Sequence, residues 1–260
     1  MSMNISVCIL INQWHPRLKE TLKSYEECSD EILLGINGRF NIKRHPEIEK
    51  VKGLRPIHLD WEGYGATKNK LASKAQNDWI LSVDFDEVAD YDLQKELKQL
   101  KFDYPNKIYA LRMTHFLGND AIKHGAWSTN RKRFLRLYNR NHTSWNLNQV
   151  HESLIIQENS RIIPLRGKVL HYTSESYKQF LVKNRKYAKL AAIKYYEQGK
   201  RGTELKKRLR PIFRFFWEFI IQRGFLDGYN GYQIARGNAF YTFYKYEYLQ
   251  KLNKKSKQKD

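Results

Sequence analysis

Two cysteines, Cys8 and Cys28, are all the sequence contains, with no paired-Cys or Cys/His spacing around them. This argues against a disulfide scaffold and a structural zinc site, and it fits a reducing compartment. Long apolar runs are missing too. The longest, Phe215-Phe216-Trp217 and, after one acid, Phe219-Ile220-Ile221, falls far short of the ~20 residues that span a bilayer. Residues 1–10 lack the charged start, apolar stretch and cleavage site of a signal peptide. No repeat of fixed period is visible. The chain therefore reads as soluble or peripheral. Acid is scarce in one place only. Residues 161–260 hold 24 Lys and Arg against 7 Asp and Glu, whereas residues 1–160 hold 23 against 20. A surplus so placed needs an acidic counterpart: anionic lipid, phosphorylated substrate or nucleic acid.

What is present begins with β-rich apolar runs. Ile5–Ile11, Asp30–Ile36, Pro56–Leu59 and Trp79–Val83 read as strands, and Arg17–Tyr25 and Lys68–Ala75 have helical spacing. Strand–helix–strand alternation of this kind predicts a parallel α/β sheet. The pattern then changes. Residues 108–116, 134–139 and 161–171 read as strands without clear helices between them. From Ser176 the chain is mostly helical and rich in Lys, Arg, Tyr and Phe, with breaks expected at Pro211 and Gly224. Residues 254–260 read as a disordered basic tail.

The fourth apolar run ends in Asp84-Phe85-Asp86-Glu87. Two aspartates at i and i+2 on an extended tip point the same way. A divalent cation relieves that repulsion, and hard oxygen ligands suit Mg²⁺ or Mn²⁺ with room left for a diphosphate. The plainer alternative is a solvated turn, with Asp86, Glu87, Asp90 and Asp92 feeding a helix that starts near Leu93.

Leu205–Arg223 sets Lys206, Lys207, Arg208, Arg210 and Arg214 among Ile212, Phe213, Phe215, Phe216 and Trp217. Basic amphipathic helices with aromatics read as membrane-surface elements, and each Lys or Arg near an anionic leaflet contributes about 1 kcal/mol. The other reading packs the aromatics inward and leaves only the charges in water. No recognised RNA- or DNA-binding motif accompanies this stretch, so nucleic acid is not expected as a partner.

An ordered set of motifs resembles glycosyltransferase family 2, of the GT-A fold, and within it the bacterial lipopolysaccharide-core β-glucosyltransferase type. The residues that carry the resemblance are Ile5–Asn12, Ser29–Ile32, Trp61-Glu62-Gly63-Tyr64-Gly65 with Lys68-Asn69, and Trp79–Glu87. Further on they are Phe116-Leu117-Gly118, His124-Gly125-Ala126-Trp127, Arg136-Leu137, Val150-His151-Glu152, Leu170-His171-Tyr172 and Gly224-Phe225-Leu226-Asp227-Gly228. The resemblance departs at Leu34-Gly35-Ile36-Asn37-Gly38, where Ile36 stands in place of the usual base-binding Asp and Asn37 offers an amide instead.

The resemblance implies an α/β GT-A fold, a Rossmann-like nucleotide-sugar-binding sheet over 1–173, followed by a basic helical region over 174–253 on the acceptor and membrane side. It implies a nucleotide-sugar donor, UDP-glucose first, a glycan or glycolipid acceptor, and Mn²⁺ or Mg²⁺. Asp86 is the expected direct metal ligand, with Asp84 on the ribose or on the metal through water. His171 is a third ligand or else a strand cap. Glu152 is the expected catalytic base for an inverting transfer, ahead of Asp120 and Glu87; a structural salt bridge of His151-Glu152 with Arg136 is the alternative. Asn12, Asn37, Lys68 and Asn69 are expected to hold the nucleotide. His124, Trp127 and Arg136 are expected toward the acceptor, with a core role for Trp127 as the alternative. The implied place of action is the cytoplasmic, inner face of the cell membrane. A family member without catalysis, serving as a scaffold in envelope-glycan assembly, remains the second expectation.

Overall fold

The computed structural model describes residues 4–129, 132–148 and 152–256. Val150 and His151, named above, and residues 257–260 of the expected tail lie outside the described residues. Two compact units result. One takes the chain up to Thr114 together with Thr129–His171; the other takes His115–Ser128 and the chain from Tyr172 on. Residues 115–128, expected in the catalytic domain, thus group with the C-terminal helices. Among the described residues no helix is long and apolar enough to cross a membrane.

The first unit is a mixed sheet with helices. Its elements are β1 (Ile5–Ile11), α1 (Leu18–Glu26), β2 (Glu31–Ile36), α2 (Pro46–Glu49), β3 (Leu54–His58), α3 (Tyr64–Ala72), β4 (Trp79–Asp84), β5 (Glu87–Ala89), α4 (Tyr91–Gln99), β6 (Lys107–Leu117), β8 (Phe134–Asn139) and β9 (Arg161–Ser174), with β7 (Asp120–Ile122) falling in the second unit. The strand order is β3-β2-β1-β4-β8-β6-β9-β5. β1 to β4 pair in parallel, and the strands beyond β4 that carry a register pair antiparallel. This is the expected α/β class, a Rossmann-like half extended by antiparallel strands.

The parallel strands are apolar on both faces because both are covered. Ile5, Val7, Ile9 and Ile11 point to one side, where Leu18, Leu22 and Tyr25 of α1 close the core. Cys8, Leu33 and Ile80 point to the other, against Leu71 and Ala72 of α3. Both cysteines are free and buried. α3 starts four residues before its expected beginning. Gly63 adopts a φ of +96° and serves as its N-cap, and Gly65 lies so close to the next segment that a Cβ there would sit 1.9 Å from the Asn146 carbonyl. The glycines that look like helix breakers in the sequence therefore launch the helix.

The second unit holds β7, which pairs with the His115–Leu117 end of β6, and three helices: α5 (Tyr177–Glu197), α6 (Glu204–Phe216) and α7 (Gly228–Ser256). Leu117, Ile122, Phe180 and Ile234 form its core, with Trp127 and Tyr177 against them. Thr203 caps α6 by accepting from the Lys206 N–H at 3.2 Å. Pro211 does not break the chain as expected; it lies inside α6. Its fixed φ suits a helix, and one backbone hydrogen bond is what it removes. The real break follows, in a π turn at Trp217–Ile221 and at Arg223, whose φ is +58°. α7 runs through Lys254 to Ser256, residues expected in the tail.

Candidate functional site

The site of interest lies in the first unit, where β1, β2 and β4 end together; Leu10 of β1 stands opposite Asp84, the last residue of β4. Asp84 and Asp86 do not feed a helix N-terminus. A short strand, β5, intervenes, and it is Asp90 that caps α4, accepting from the Leu93 N–H at 2.8 Å.

Glu87 holds the turn from below. It is fully buried, its Oε2 accepts the Asp84 backbone N–H at 2.9 Å, and its Oε1 meets the Arg136 Nη2 at 3.3 Å. Burial pushes its pKa up, against the pull of Arg136. Such a carboxylate cannot face an acceptor, so the weaker expectation of Glu87 as base is corrected: it braces the D-x-D turn. Arg136, expected toward the acceptor, is likewise placed otherwise. Its guanidinium reaches Glu87 and stands 3.8 Å from Asp84 Oδ2. Burial works against its charge, yet Glu87, Asp84 and Glu152 together raise its pKa.

Asp86 is nearly buried, and its Oδ1 lies 3.6 Å from His171 Nε2. The β5–β9 register, with Glu87 opposite His171, brings the imidazole there. Burial disfavours imidazolium, but the hydrogen bond to Asp86 and the nearby acids win, so the His171 pKa is raised. Among the described residues, no group of three or more His, Cys, Asp or Glu is arranged as a metal cage. Asp86 and His171 supply two donors, an oxygen and an imidazole nitrogen, a set that fits Mn²⁺ better than Mg²⁺.

Lys68 is the surprise of the site. It is 5 % exposed, and its Nζ lies 3.0 Å from Glu152 Oε1, 3.8 Å from Asp84 Oδ1 and 4.4 Å from the centre of the Trp145 ring. Asn69, next in the helix, turns its amide to the backbone of Trp145. Its Nδ2 donates to the Trp145 carbonyl at 2.8 Å, and its Oδ1 accepts the Trp145 N–H at 2.9 Å. Asn69 thus has a structural contact beside the nucleotide-binding role expected of it. Trp145 in turn bridges to Leu154, which holds the segment carrying Glu152. The packing of α3 thus places Lys68, Trp145 and Glu152 together. Trp145 gives no signal in the sequence; only the contact reveals it.

Asn12 and Asn37 line one cavity of about 270 Å³ with Leu10, Ile11, Trp61, Tyr64 and Phe85. Trp61 and Tyr64 meet edge-on, ring centres 4.7 Å apart, and both rings are about half exposed. Gly38 permits the close approach of the two strand ends, since a Cβ there would sit 2.7 Å from the Asn12 carbonyl. Ile36 is buried in the core, so the residue that departs from the expected acid does not line this cavity.

The other expected residues belong to the second unit. His124 is held by Asp227. Its Nδ1 lies 3.0 Å from Asp227 Oδ1, and Oδ2 accepts the N–H groups of Lys123 and His124 at 3.1 and 2.7 Å. Trp127 packs edge-on against Phe180 at 5.1 Å and joins the core cluster, the alternative reading given for it. Asp120 accepts from the Asn230 amide at 2.9 Å. Nothing in the spacing of the sequence pairs His124 with Asp227.

No protein-family model matches the chain. It is similar to an uncharacterized glycosyltransferase of Rickettsia typhi, 25 % identical over 97 % of this chain and 89 % of the relative. An uncharacterized glycosyltransferase of Rickettsia prowazekii is 26 % identical over 97 % of this chain and 88 % of its own length. Among solved structures, Staphylococcus aureus TarS in complex with UDP-GlcNAc aligns at a TM-score of 0.43 and 12 % identity, over all of this chain and 93 % of that one. A likeness of that size carries no argument about fold or site.

Proposed function

We propose that the chain is a metal-dependent, inverting glycosyltransferase. It moves a hexose, glucose first, from a UDP-sugar to a lipopolysaccharide or lipooligosaccharide core, or to another envelope glycan, at the cytoplasmic face of the membrane. The observation that carries this reading is the set at the strand tips: Asp84 between Lys68 and Arg136, Asp86 beside His171, and Glu152 held on Lys68. The two Rickettsia relatives support the class of reaction by their names and by full-length similarity.

Each group has a place in the chemistry. The cavity walled by Trp61 and Tyr64 suits a flat base, with the amides of Asn12 and Asn37 for its edge. Asp86, Asp84 and His171 would hold Mn²⁺ or Mg²⁺, which supplies Lewis-acid neutralisation of the departing diphosphate. Lys68 and Arg136 add fixed positive charge on the same side, in a partly buried setting where it acts strongly. The acceptor oxygen bonds to the anomeric carbon as the carbon–oxygen bond to the diphosphate breaks. Glu152 takes the proton from the attacking hydroxyl. Displacement from the opposite face inverts the anomeric carbon and needs no enzyme nucleophile.

The test is a thermal-shift screen of UDP-, GDP-, CMP- and dTDP-sugars with and without Mn²⁺, followed by a transfer assay with the best donor. A metal-dependent upward shift with one UDP-sugar is expected. Silence toward every donor would overturn the reading in favour of the scaffold.

A further inference from the structure

Helix α6 has no buried residue, although Leu209, Ile212, Phe213 and Phe216 belong to it. Residues 207, 208, 211, 212, 215 and 216 form one stripe along α6, and 236, 239, 240, 243 and 244 form one stripe along α7. Both follow the three-to-four-residue spacing of a single helix face. Together they line a cavity of about 680 Å³ within the second unit. Lys207 lies over Phe243 at 5.8 Å, and Phe215 meets Tyr232 edge-on at 5.9 Å, so the two helices run antiparallel.

The walls are Ile212, Phe215, Phe216, Phe240 and Phe243, with the small Ala239 between them on α7. The ends are cationic. Lys207 and Arg208 stand at one end, where both pair with Glu204. Arg236 stands at the other, its guanidinium 5.2 Å from the centre of the Phe240 ring, and no carboxylate among the described residues pairs with it. The stripe from 208 to 216 spans about 12 Å of helix. The groove is thus apolar along its length, with an uncompensated cation at one mouth.

We propose that this groove takes the hydrocarbon chain of an anionic membrane lipid, with the lipid's acidic headgroup at Arg236. An apolar chain there replaces water that the walls cannot hydrogen-bond. Charge complementarity selects lipid over a partner helix: a bilayer is apolar and acidic at once, and Phe213, Trp217, Ile220 and Ile221, outside the groove on the same stretch of chain, are exposed beside the surplus of Lys and Arg. The site rests on the membrane-surface reading for the source of its ligand and on nothing in the transfer chemistry.

The test uses the full-length protein with two probes: cis-parinaric acid, a fluorescent fatty acid, and sedimentation with phosphatidylcholine vesicles with or without phosphatidylglycerol. Saturable parinarate binding is expected in the unaltered chain. Ala239→Phe, which fills the groove, and Phe216→Gln, at a position 56 % exposed, are each expected to weaken that binding about tenfold, the equivalent of about two methylenes left unburied. Ala239→Phe keeps its sedimentation with anionic vesicles, and both variants keep the circular dichroism of the parent. Arg236→Gln weakens binding of the acid and leaves its methyl ester unchanged. Parinarate binding that is absent from the parent, or unchanged in both groove variants, overturns the groove. If the parent also ignores anionic vesicles, the membrane-surface reading falls with it. A donor-induced thermal shift is independent of all these outcomes.

Discussion

The two units use the same side chains in opposite ways. In the first, Lys68 and Arg136 are drawn inside and answered by Glu152, Asp84 and Glu87. In the second, Lys and Arg ring exposed Ile and Phe, and carboxylates are few. A buried cation is costly unless paired, so its position is fixed by its partners. An exposed one is free to meet whatever arrives. Composition reports the second arrangement and is silent about the first: residues 1–160 look electrically ordinary because their charges cancel.

The sharpest way to break this comparison is at Asp86. Asp86→Ala is expected to lower sugar transfer by about a thousandfold with the melting temperature of the metal-free protein little changed. Full activity in that variant under excess chelator would remove the metal mechanism. Glu87→Ala comes next and acts on stability. It removes the nearer of the two carboxylates paired with buried Arg136 and leaves the longer contact to Asp84, so a loss of about 3 kcal/mol is expected in urea unfolding; a loss below about 1 kcal/mol would mean that the brace described above is not needed.

His171 gives a pH-dependent effect of smaller size. Its folded pKa is raised above the ordinary 6.5, chiefly by Asp86 against the opposing effect of burial. Its contribution to the metal-free fold is therefore complete below pH 6.5 and fades as pH rises through the folded value. Thermal unfolding across this range should fall for the parent and stay flatter for His171→Gln. An equal slope in both would place the titration elsewhere. The smallest stability effect is expected in the second unit. Phe213, 61 % exposed, changed to Ser should leave stability within about 0.5 kcal/mol yet weaken sedimentation with anionic vesicles. Retained vesicle binding would count against α6 as the membrane face.

The fold was most legible where burial is two-sided. β1, β2 and β4 appear in the sequence as continuous apolar runs because both faces of the sheet are covered. β5 was hidden inside an acidic turn, since three residues held by pairing with β9 leave no periodicity of their own. Pro211 misled because a proline in mid-helix removes one bond and not the helix. In the site, Asp84, Asp86 and His171 are brought together by strand register, which the sequence does not display. Glu152 is brought to Lys68 by Trp145 and Asn69, whose contribution is a backbone contact. Asn69 and Trp127 show the limit from the other side: a motif match cannot separate a residue that touches a ligand from one that holds the residue beside it.

The hydrogen bond from the Asp84 N–H to Glu87 has a consequence for anyone moving this motif to another scaffold. The spacing of the two aspartates is not encoded by their own letters. It depends on a glutamate one position beyond them and on Arg136, 49 residues further along the chain from that glutamate. A transplanted D-x-D without those two would be a pair of repelling acids on an unsupported loop, and a transplanted D-x-D-E without the arginine would carry an unanswered charge into its new host.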